Sequence, residues 1–228
     1  MSNGIPCCVW FHHAVSHHSQ RARFGEGTHV LVPDINAAAD VLIRHGWTPV
    51  PSTAPKGEWR IEGFQVTSPQ RRLAAPPTPG LSDALVVLLP DVPWGYDVTR
   101  HHERYPSTDP EWIFPPLAAI IDASIAMLLD SDPTTSTEPD RHARRCIALE
   151  DLEPVYDVSK HTRQDPDFPK RVRDPKLVEE LKFENRQFHI DAAYGLPVWS
   201  DAYLERAARV RHELRDGRRG LKDAVAEY

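Results

Sequence analysis

The chain has 228 residues, 40% of them hydrophobic and 26% charged, which is enough apolar sequence for the core of one full domain. Its net charge of −6 excludes a general binder of nucleic acid or of anionic membranes, because such proteins gain affinity from clustered lysine and arginine. No apolar run approaches the ~18 residues of a membrane-spanning helix and no leader pattern is visible, so a cytoplasmic protein is expected.

Four segments in the first hundred residues have strand character. They are GIPCCVW at 4–10, THVLVP at 28–33, the hairpin GEWRIEGFQVTS at 57–68 and ALVVLLP at 84–90. The last has the length and the branched residues of a buried strand. Cys7 and Cys8 are adjacent, so they point to opposite faces of a strand and predict structural roles in a reducing compartment.

Two helices are predicted between these strands. A short one follows the first strand over 11–24, and a stronger one covers 34–45. In the stronger helix Asp34 is the expected N-cap and Gly46 ends the C-terminus. Its expected apolar stripe consists of Ile35, Ala38, Ala39, Leu42 and Ile43.

The second half of the chain is predicted to be helical. Four helices are expected, at 114–132, 141–157, 175–195 and 198–217. Proline-rich stretches near 48–57, 74–80, 105–116 and 154–175 are expected to be connectors. The runs PQRR at 69–72 and RDGRRG at 215–220 are candidates for a local basic patch, although solvated surface is the favoured interpretation of each.

These elements predict an α+β fold in which a small mixed sheet with flanking helices is followed by an α-helical C-terminal half. We expect an α/β region over 1–110 and a helical region over 111–228 packed on it, because no clean linker separates them.

The order of elements over 4–46 resembles the nucleotidyltransferase superfamily, in the branch of abortive-infection and aminoglycoside nucleotidyltransferases. It is especially similar to fungal proteins that carry an eroded version of that domain. Active members have a Gly-Gly or Gly-Ser turn before a helix, an Asp-x-Asp strand and a later third carboxylate. The glycines let backbone approach a triphosphate, and the carboxylates hold Mg²⁺ for phosphoryl transfer.

The resemblance implies a fold and a cleft, but the matched positions depart from the catalytic pattern. The Gly-Gly turn falls at Phe11 and His12, and the Asp-x-Asp pair falls at Gly27 and His29. Asp83 is the only matched carboxylate. Since a hard cation prefers oxygen ligands, metal-dependent nucleotidyl transfer is not expected, and no metal or other cofactor is assigned.

Histidines are dense near the start of the chain. His13 and His17 are four residues apart on one helical face, a spacing compatible with zinc, although no third ligand is nearby in the sequence. A surface helix with polar imidazoles is the simpler interpretation. His29 differs because it lies on a strand, and we expect it to be either buried or functional, while His13, His17 and His18 are expected to be dispensable.

The candidate catalytic residues are the polar groups expected to line the implied cleft. They are His29, Asp83, His12 and Glu26. The loop 93–102 follows the strongest strand, where ligands of α/β sheets tend to bind. Candidate substrate-binding residues are therefore Trp94 and Tyr96 in this loop, together with Phe11; Asp97, His101 and His102 lie in the same loop. Packing of Trp94 and Tyr96 against the rest of the protein is the favoured alternative.

The arginines of RHARRC at 141–146, expected at a helix start, hint at an anion or partner contact.

Two functions from different classes fit these observations. The first is a degenerate nucleotidyltransferase-like protein that binds a protein partner or a small organic molecule. The second is a metal-free acid–base enzyme, an isomerase or cyclase of specialised metabolism, that reuses the cleft. Zinc-dependent hydrolysis is a third, weaker hypothesis. No membrane partner is expected, and the oligomeric state is not predicted.

Overall fold

The architecture separates a sheet-containing unit from a helical one. The computed structural model describes residues 5–19, 27–51, 59–61, 64–66, 69–77, 84–99, 114–130, 138–156, 165 and 167–218. Two units, Met1–Pro116 and Leu117–Tyr228, are distinguished by their internal contacts. The first holds the sheet and the second is built from helices, so the protein is α+β as the sequence predicted.

The first unit is organised by a five-stranded mixed sheet of order β1-β2-β7-β6-β3. Its strands are β1 (Cys8–Val9), β2 (Thr28–Val32), β3 (Thr48–Pro49), β6 (Arg71–Ala74) and β7 (Leu85–Pro90). β2 and β7 are parallel, and the other pairs are antiparallel. β4 (Trp59–Ile61) and β5 (Phe64–Val66) form a separate hairpin. The strand at 84–90 and the hairpin are confirmed, whereas β3 and β6 were not predicted.

Helix α2 (Ile35–Arg44) covers one face of this sheet. Asp34 caps it as predicted, with Oδ1 accepting from the backbone N–H groups of Asn36 at 2.9 Å and Ala37 at 3.0 Å. One member of the predicted stripe was wrong, because Ile43 is 42% exposed while Val41 is buried. Successive helical residues are ~100° apart, so Ile43 lies farthest from a stripe centred on residues 38 and 42.

The second unit contains six α-helices within the described residues. They are α3 (Leu117–Leu129), α4 (Glu138–Tyr156), α5 (Phe168–Val172), α6 (Pro175–Glu180), α7 (Arg186–Ala193) and α8 (Asp201–Arg215). The helical C-terminal half is therefore confirmed. α3 packs against α4 and is buried along nearly its whole length. The helix predicted over 198–217 is α8, which Ser200 caps and which ends at Arg215, with Gly217 in the left-handed conformation two residues later.

The single helix predicted over 175–195 was wrong, because the chain breaks it into α6, a 3-10 turn (Phe183–Asn185) and α7. Leu181 adopts an extended conformation at the break. The backbone N–H of Lys182 donates to the buried carboxylate of Asp122, at 3.1 and 2.9 Å to its two oxygens. A side chain of α3 thus takes a hydrogen bond that would otherwise continue the helix.

Prolines begin or end helices in a stretch that was predicted to be a connector. Pro154 lies in the last turn of α4, Pro169 in the first turn of α5, and Pro175 begins α6. Proline is tolerated in a first turn because the backbone N–H it lacks has no partner there. A second correction concerns α4, which begins at Glu138, so that Arg144 and Arg145 lie beyond its first turn.

A buried polar network joins the helices of this unit. Asn185 donates to Oδ1 of Asp122 at 2.7 Å and accepts from Nε of Arg211 at 2.6 Å. The Arg211 guanidinium also pairs with Asp130, and this carboxylate lies 3.3 Å from Arg215. Burial of such groups is tolerated because each has a hydrogen-bond partner. The network therefore fixes α3, the 3-10 turn and α8 to one another.

The part of the chain described here contains no helix long and apolar enough to cross a membrane.

Candidate functional site

The candidate site begins where β1 passes into helix α1 (His12–Ser19). Phe11 stands between them with φ of 52°, the only positive φ at a non-glycine position among the described residues. Its carbonyl accepts the backbone N–H of Val15 at 3.1 Å, so Phe11 starts the helix. Residues other than glycine rarely adopt this conformation, because contact between Cβ and the backbone makes it less stable by roughly 1–2 kcal/mol. The turn therefore has a backbone that favours glycine but holds a buried phenylalanine.

His29 lies in the centre of β2 and is 7% exposed, which confirms that this histidine is buried. Because side chains alternate along a strand, it faces away from the side on which Val30 and Val32 meet α2. Its ring contacts the Phe11 ring edge-on, with centroids 5.3 Å apart and planes at 83°. The backbone N–H of Trp10 donates to the carbonyl of His29 at 2.9 Å. Strand register thus holds Phe11 and His29 together.

The segment after β7 brings two more predicted residues to this place. Asp91 is buried, and its carboxylate accepts the backbone N–H groups of Val92 at 2.7 Å and Val98 at 3.0 Å. These bonds hold a 3-10 turn (Val92–Trp94) and the residues that follow it. Trp94 is fully buried and meets Phe11 at 4.9 Å between centroids with planes at 90°. Tyr96 is 5% exposed, and its ring centroid lies 4.6 Å from that of Trp10.

The structure therefore brings together four of the seven candidate residues. The Phe11 ring contacts the rings of both His29 and Trp94. The Tyr96 ring contacts that of Trp10, the residue before Phe11 in the chain. His12 begins α1, but its side chain is outside the described part. Glu26 and Asp83 lie outside the described residues, as do His101 and His102 of the loop. Asp97 is exposed. What is described is a packed aromatic cluster around a buried imidazole.

Gly27 is the position matched to the first metal-binding aspartate of the resembled family. Its φ is 122°, and a Cβ built there would lie 2.9 Å from the carbonyl oxygen of Leu85. Any side chain would therefore require the backbone of β2 or β7 to shift. This local packing gives a physical reason for glycine here and excludes a carboxylate at this backbone geometry.

Sequence reasoning missed two groups on the same face of the sheet as His29. Arg72 pairs with Val87, which pairs with His29, so one row crosses three strands. Gln70, two residues before Arg72, is 5% exposed, and within the described structure its amide has no hydrogen-bond partner. The prediction that PQRR is solvated surface was thus wrong for Gln70, although Arg71 is exposed. QRRLA has no alternation of polar and apolar residues, so the sequence carried no signal for which of these side chains would be buried.

The thiol of Cys8 lies on this same face, because Cys8 pairs with Leu31, two residues along β2 from His29. Burial raises its pKa well above the usual range, and the neighbouring Cys7 and Asp91 raise it further, while a hydrogen bond with Tyr96 lowers it. Burial also raises the pKa of the Cys7 thiol, which lies in the core under α2. Because the thiolate is the nucleophilic form, both cysteines are suited to packing, in agreement with their predicted structural role.

The remaining early histidines lie on α1. The His17 ring stacks on that of Phe114, with centroids 3.9 Å apart and planes at 4°. A ring nitrogen of His18 lies 2.7 Å from the carbonyl oxygen of Pro115. These contacts connect α1 with the segment before residue 117. Among the residues that the structure describes, no three histidine, cysteine, aspartate or glutamate side chains form a group that could hold a metal ion.

No model of a known protein family matches the sequence, and no curated protein matches it either.

Proposed function

We propose that this chain is a nucleotidyltransferase-like protein that has no metal-dependent nucleotidyl transfer and acts by binding a partner. The observation that carries the proposal is the Phe11 ring. It occupies the turn matched to a phosphate-binding glycine and packs between His29 and Trp94. The left-handed backbone at Phe11 is what a glycine turn would have, so the geometry supports descent from such a turn together with loss of its ligand contact.

The positions matched to the metal-binding carboxylates support the same conclusion. A side chain at Gly27 would collide with the backbone of β7. His29 offers an imidazole where Mg²⁺ prefers carboxylate oxygens, and it is buried against an aromatic ring. These two positions cannot supply the paired oxygens by which two metal ions are held for phosphoryl transfer.

The metal-free acid–base enzyme is less well supported. A general acid or base must come within hydrogen-bond reach of its substrate. The His29 imidazole is nearly inaccessible to solvent and is in contact with Phe11. The carboxylates proposed to act with it, Glu26 and Asp83, are outside the described residues. A filled aromatic cluster suits a scaffold for binding better than it suits turnover of a small molecule.

The test is a nucleotidyl-transfer assay with each of the four ribonucleoside triphosphates and Mg²⁺ or Mn²⁺. We expect pyrophosphate release equal to the buffer blank, because the paired carboxylates are missing. The variant His29→Ala is the control for contaminating activity and should give the same blank value. Metal-dependent release by the wild type that disappears in His29→Ala would overturn the proposal.

A further inference from the structure

The connection between α7 and α8 exposes an unusual amount of apolar surface. Tyr194 is 66% exposed, Leu196 49% and Trp199 41%, and these are three of the seven large hydrophobic residues exposed in the described structure. Solvent contact with such side chains is unfavourable, and concentrated exposure of this kind marks interaction sites. We call these three residues, together with the neighbouring Arg173, the 194–199 surface.

This exposure is imposed by an ordered backbone. The N–H of Gly195 donates to the carbonyl of Ala192 at 3.1 Å, and that of Leu196 donates to Asp191 at 3.0 Å. Val198 is 1% exposed and anchors the middle of the connection in the core. The Trp199 ring is held on its inner side by Tyr156 and Phe188, each with a centroid distance of 6.2 Å. The apolar groups are thus presented in fixed positions, which lowers the entropic cost of binding.

Arg173 adds a positive charge to this surface. Its Nε donates to the carbonyl of Ala193 at 2.9 Å, and its guanidinium lies over the Tyr194 ring, 5.5 Å from the centroid. Among the described residues no carboxylate forms an ion pair with it, so its terminal nitrogens remain available for an anion. A fixed guanidinium favours a carboxylate because it can donate two parallel hydrogen bonds.

A second arginine at the other end of α7 provides an internal comparison. Arg186 lies over the Phe183 ring at 5.9 Å, and Phe183 is 42% exposed, nearly the same as Trp199. The Arg186 guanidinium, however, donates to the backbone carbonyls of Leu181 at 3.2 Å and Glu179 at 2.8 Å. Its charge serves the end of α6 and not an external ligand. Of these two arginines, only Arg173 combines a charge and exposed apolar neighbours with an available donor.

We propose that the 194–199 surface docks an acidic segment of a partner protein, in which apolar side chains contact Leu196 and Trp199 and a carboxylate pairs with Arg173. Tryptophan, tyrosine and arginine are the residues that most often dominate binding energy at protein interfaces. The positive charge selects an acidic partner over a basic one. This inference rests on the proposal that the chain acts by binding, and it adds the place and the chemistry of the partner.

The experiment is a selection of random displayed peptides on the wild-type protein, followed by fluorescence polarisation with the enriched peptides. We expect enriched peptides to combine aspartate or glutamate with leucine, isoleucine or phenylalanine. Arg173→Glu and Leu196→Ser should each weaken their binding by at least about tenfold, which is 1.4 kcal/mol. Phe183→Ala is the matched control and should change binding less than about twofold. All three altered side chains are exposed, so circular dichroism should show unchanged folding for each variant.

Three results would overturn this docking proposal. One is that no peptide is enriched above the blank, and another is that enriched peptides lack acidic residues or bind the Arg173→Glu variant equally well. The third is self-association of the wild type, seen by sedimentation velocity and abolished by Leu196→Ser, which would assign the surface to a second copy of the chain. None of these results bears on the nucleotidyl-transfer assay, so the two proposals fail separately.

Discussion

At the scale of single residues, Phe11 determines how the candidate site is filled. Its side chain contacts His29 and Trp94, but its backbone adopts a conformation that suits glycine. The packing energy of a buried phenyl group exceeds the conformational cost, since Phe→Ala in a core costs ~3–5 kcal/mol and a left-handed residue ~1–2 kcal/mol. The strain persists because the surrounding aromatic contacts hold it.

This balance predicts an inverted order for two substitutions. Alanine normally exceeds glycine in stability by ~0.5–1 kcal/mol within regular structure. At φ of 52° we expect Phe11→Gly to be the more stable of the two, by ~1 kcal/mol, although both are less stable than the wild type. Urea unfolding of both variants measures the difference. An alanine variant more stable than the glycine variant would show that the backbone is not strained at this position.

His29 provides the second prediction at this scale. If the chain acts by binding, His29→Ala should lower the free energy of unfolding by ~1–3 kcal/mol, the usual effect of disrupting a buried polar group. His17→Ala is the comparison, because the His17 ring is exposed on one side, and we expect it to cost less. Chemical denaturation checks both values. A larger loss for His17→Ala would identify α1, and not β2, as the structurally important place for histidine.

At the scale of elements, local chemistry decides some boundaries and distant contacts decide others. The start of α2 was predictable because Asp34 is a capping residue directly before an apolar helix. The break at Leu181 was not, because it depends on Asp122, some sixty residues earlier in the chain. β6 escaped prediction for a similar reason, since its neighbour β7 and not its own composition makes QRRLA a strand.

The cap of α2 gives a prediction for an element. Asp34→Ala should cost ~0.5–2 kcal/mol, because the N–H groups of Asn36 and Ala37 lose their acceptor. Asp34→Asn keeps a side-chain oxygen in place and should remain within a few tenths of a kcal/mol of the wild type. Thermal and urea unfolding distinguish the two variants. Equal losses for alanine and asparagine would mean that charge, and not capping, stabilises this end of the helix.

The candidate site divides in the same way. Burial of His29 could be predicted from its place in THVLVP. A histidine that precedes Val-Leu-Val lies in an apolar strand, and both faces of such a strand are buried in the protein. The contacts of Trp94 with Phe11 and of Tyr96 with Trp10 did not follow, because they join segments more than eighty residues apart. Arg72 and Gln70 remained hidden because their exposure depends on which face of β6 meets the rest of the unit.

At the scale of the whole molecule, the helical unit contains a buried titratable group that links folding to pH. His189 is fully buried, with one ring nitrogen 2.9 Å from the Tyr156 hydroxyl and the other 2.8 Å from the carbonyl of Val172. The carbonyl can only accept, so Nε2 carries a proton, and because burial disfavours the charged ring, Nδ1 is unprotonated and accepts from the Tyr156 hydroxyl. Burial lowers the pKa of His189 below 6.5, although the hydrogen bond to Val172 opposes this shift.

The lowered pKa of His189 gives the direction of the pH dependence. Below pH 6.5 the unfolded chain binds a proton at this residue that the folded chain does not bind. The contribution of His189 to the free energy of unfolding should therefore be fully present above pH ~6.5. On acidification below this pH it should fall by up to ~1.4 kcal/mol per pH unit. The pH dependence of stability that comes from Asp122 has the opposite sign. Burial raises the pKa of this carboxyl above 3.8, so the folded chain binds a proton there more readily than the unfolded chain, and acidification favours folding.

Comparison of two unfolding curves isolates the histidine. Wild type and His189→Gln are measured in urea between pH 5 and pH 8, and the difference between their unfolding free energies is plotted against pH. We expect the wild type to lose stability more steeply below pH 6.5 than the variant, because glutamine does not titrate. Parallel curves would mean that His189 has the same pKa in the folded and unfolded chain.

The central claim is that the chain does not hold a metal–nucleotide complex, and calorimetric titration with ATP and Mg²⁺ tests it most directly. The positions matched to the carboxylate pair of the resembled family are Gly27 and His29, and the turn at Phe11 is filled by a side chain. We predict no Mg²⁺-dependent heat of binding at nucleotide concentrations up to about 1 mM. A Kd of this size corresponds to a binding free energy of about −4.1 kcal/mol. Mg²⁺-dependent ATP binding with Kd below about 100 μM, about −5.5 kcal/mol, would contradict the account.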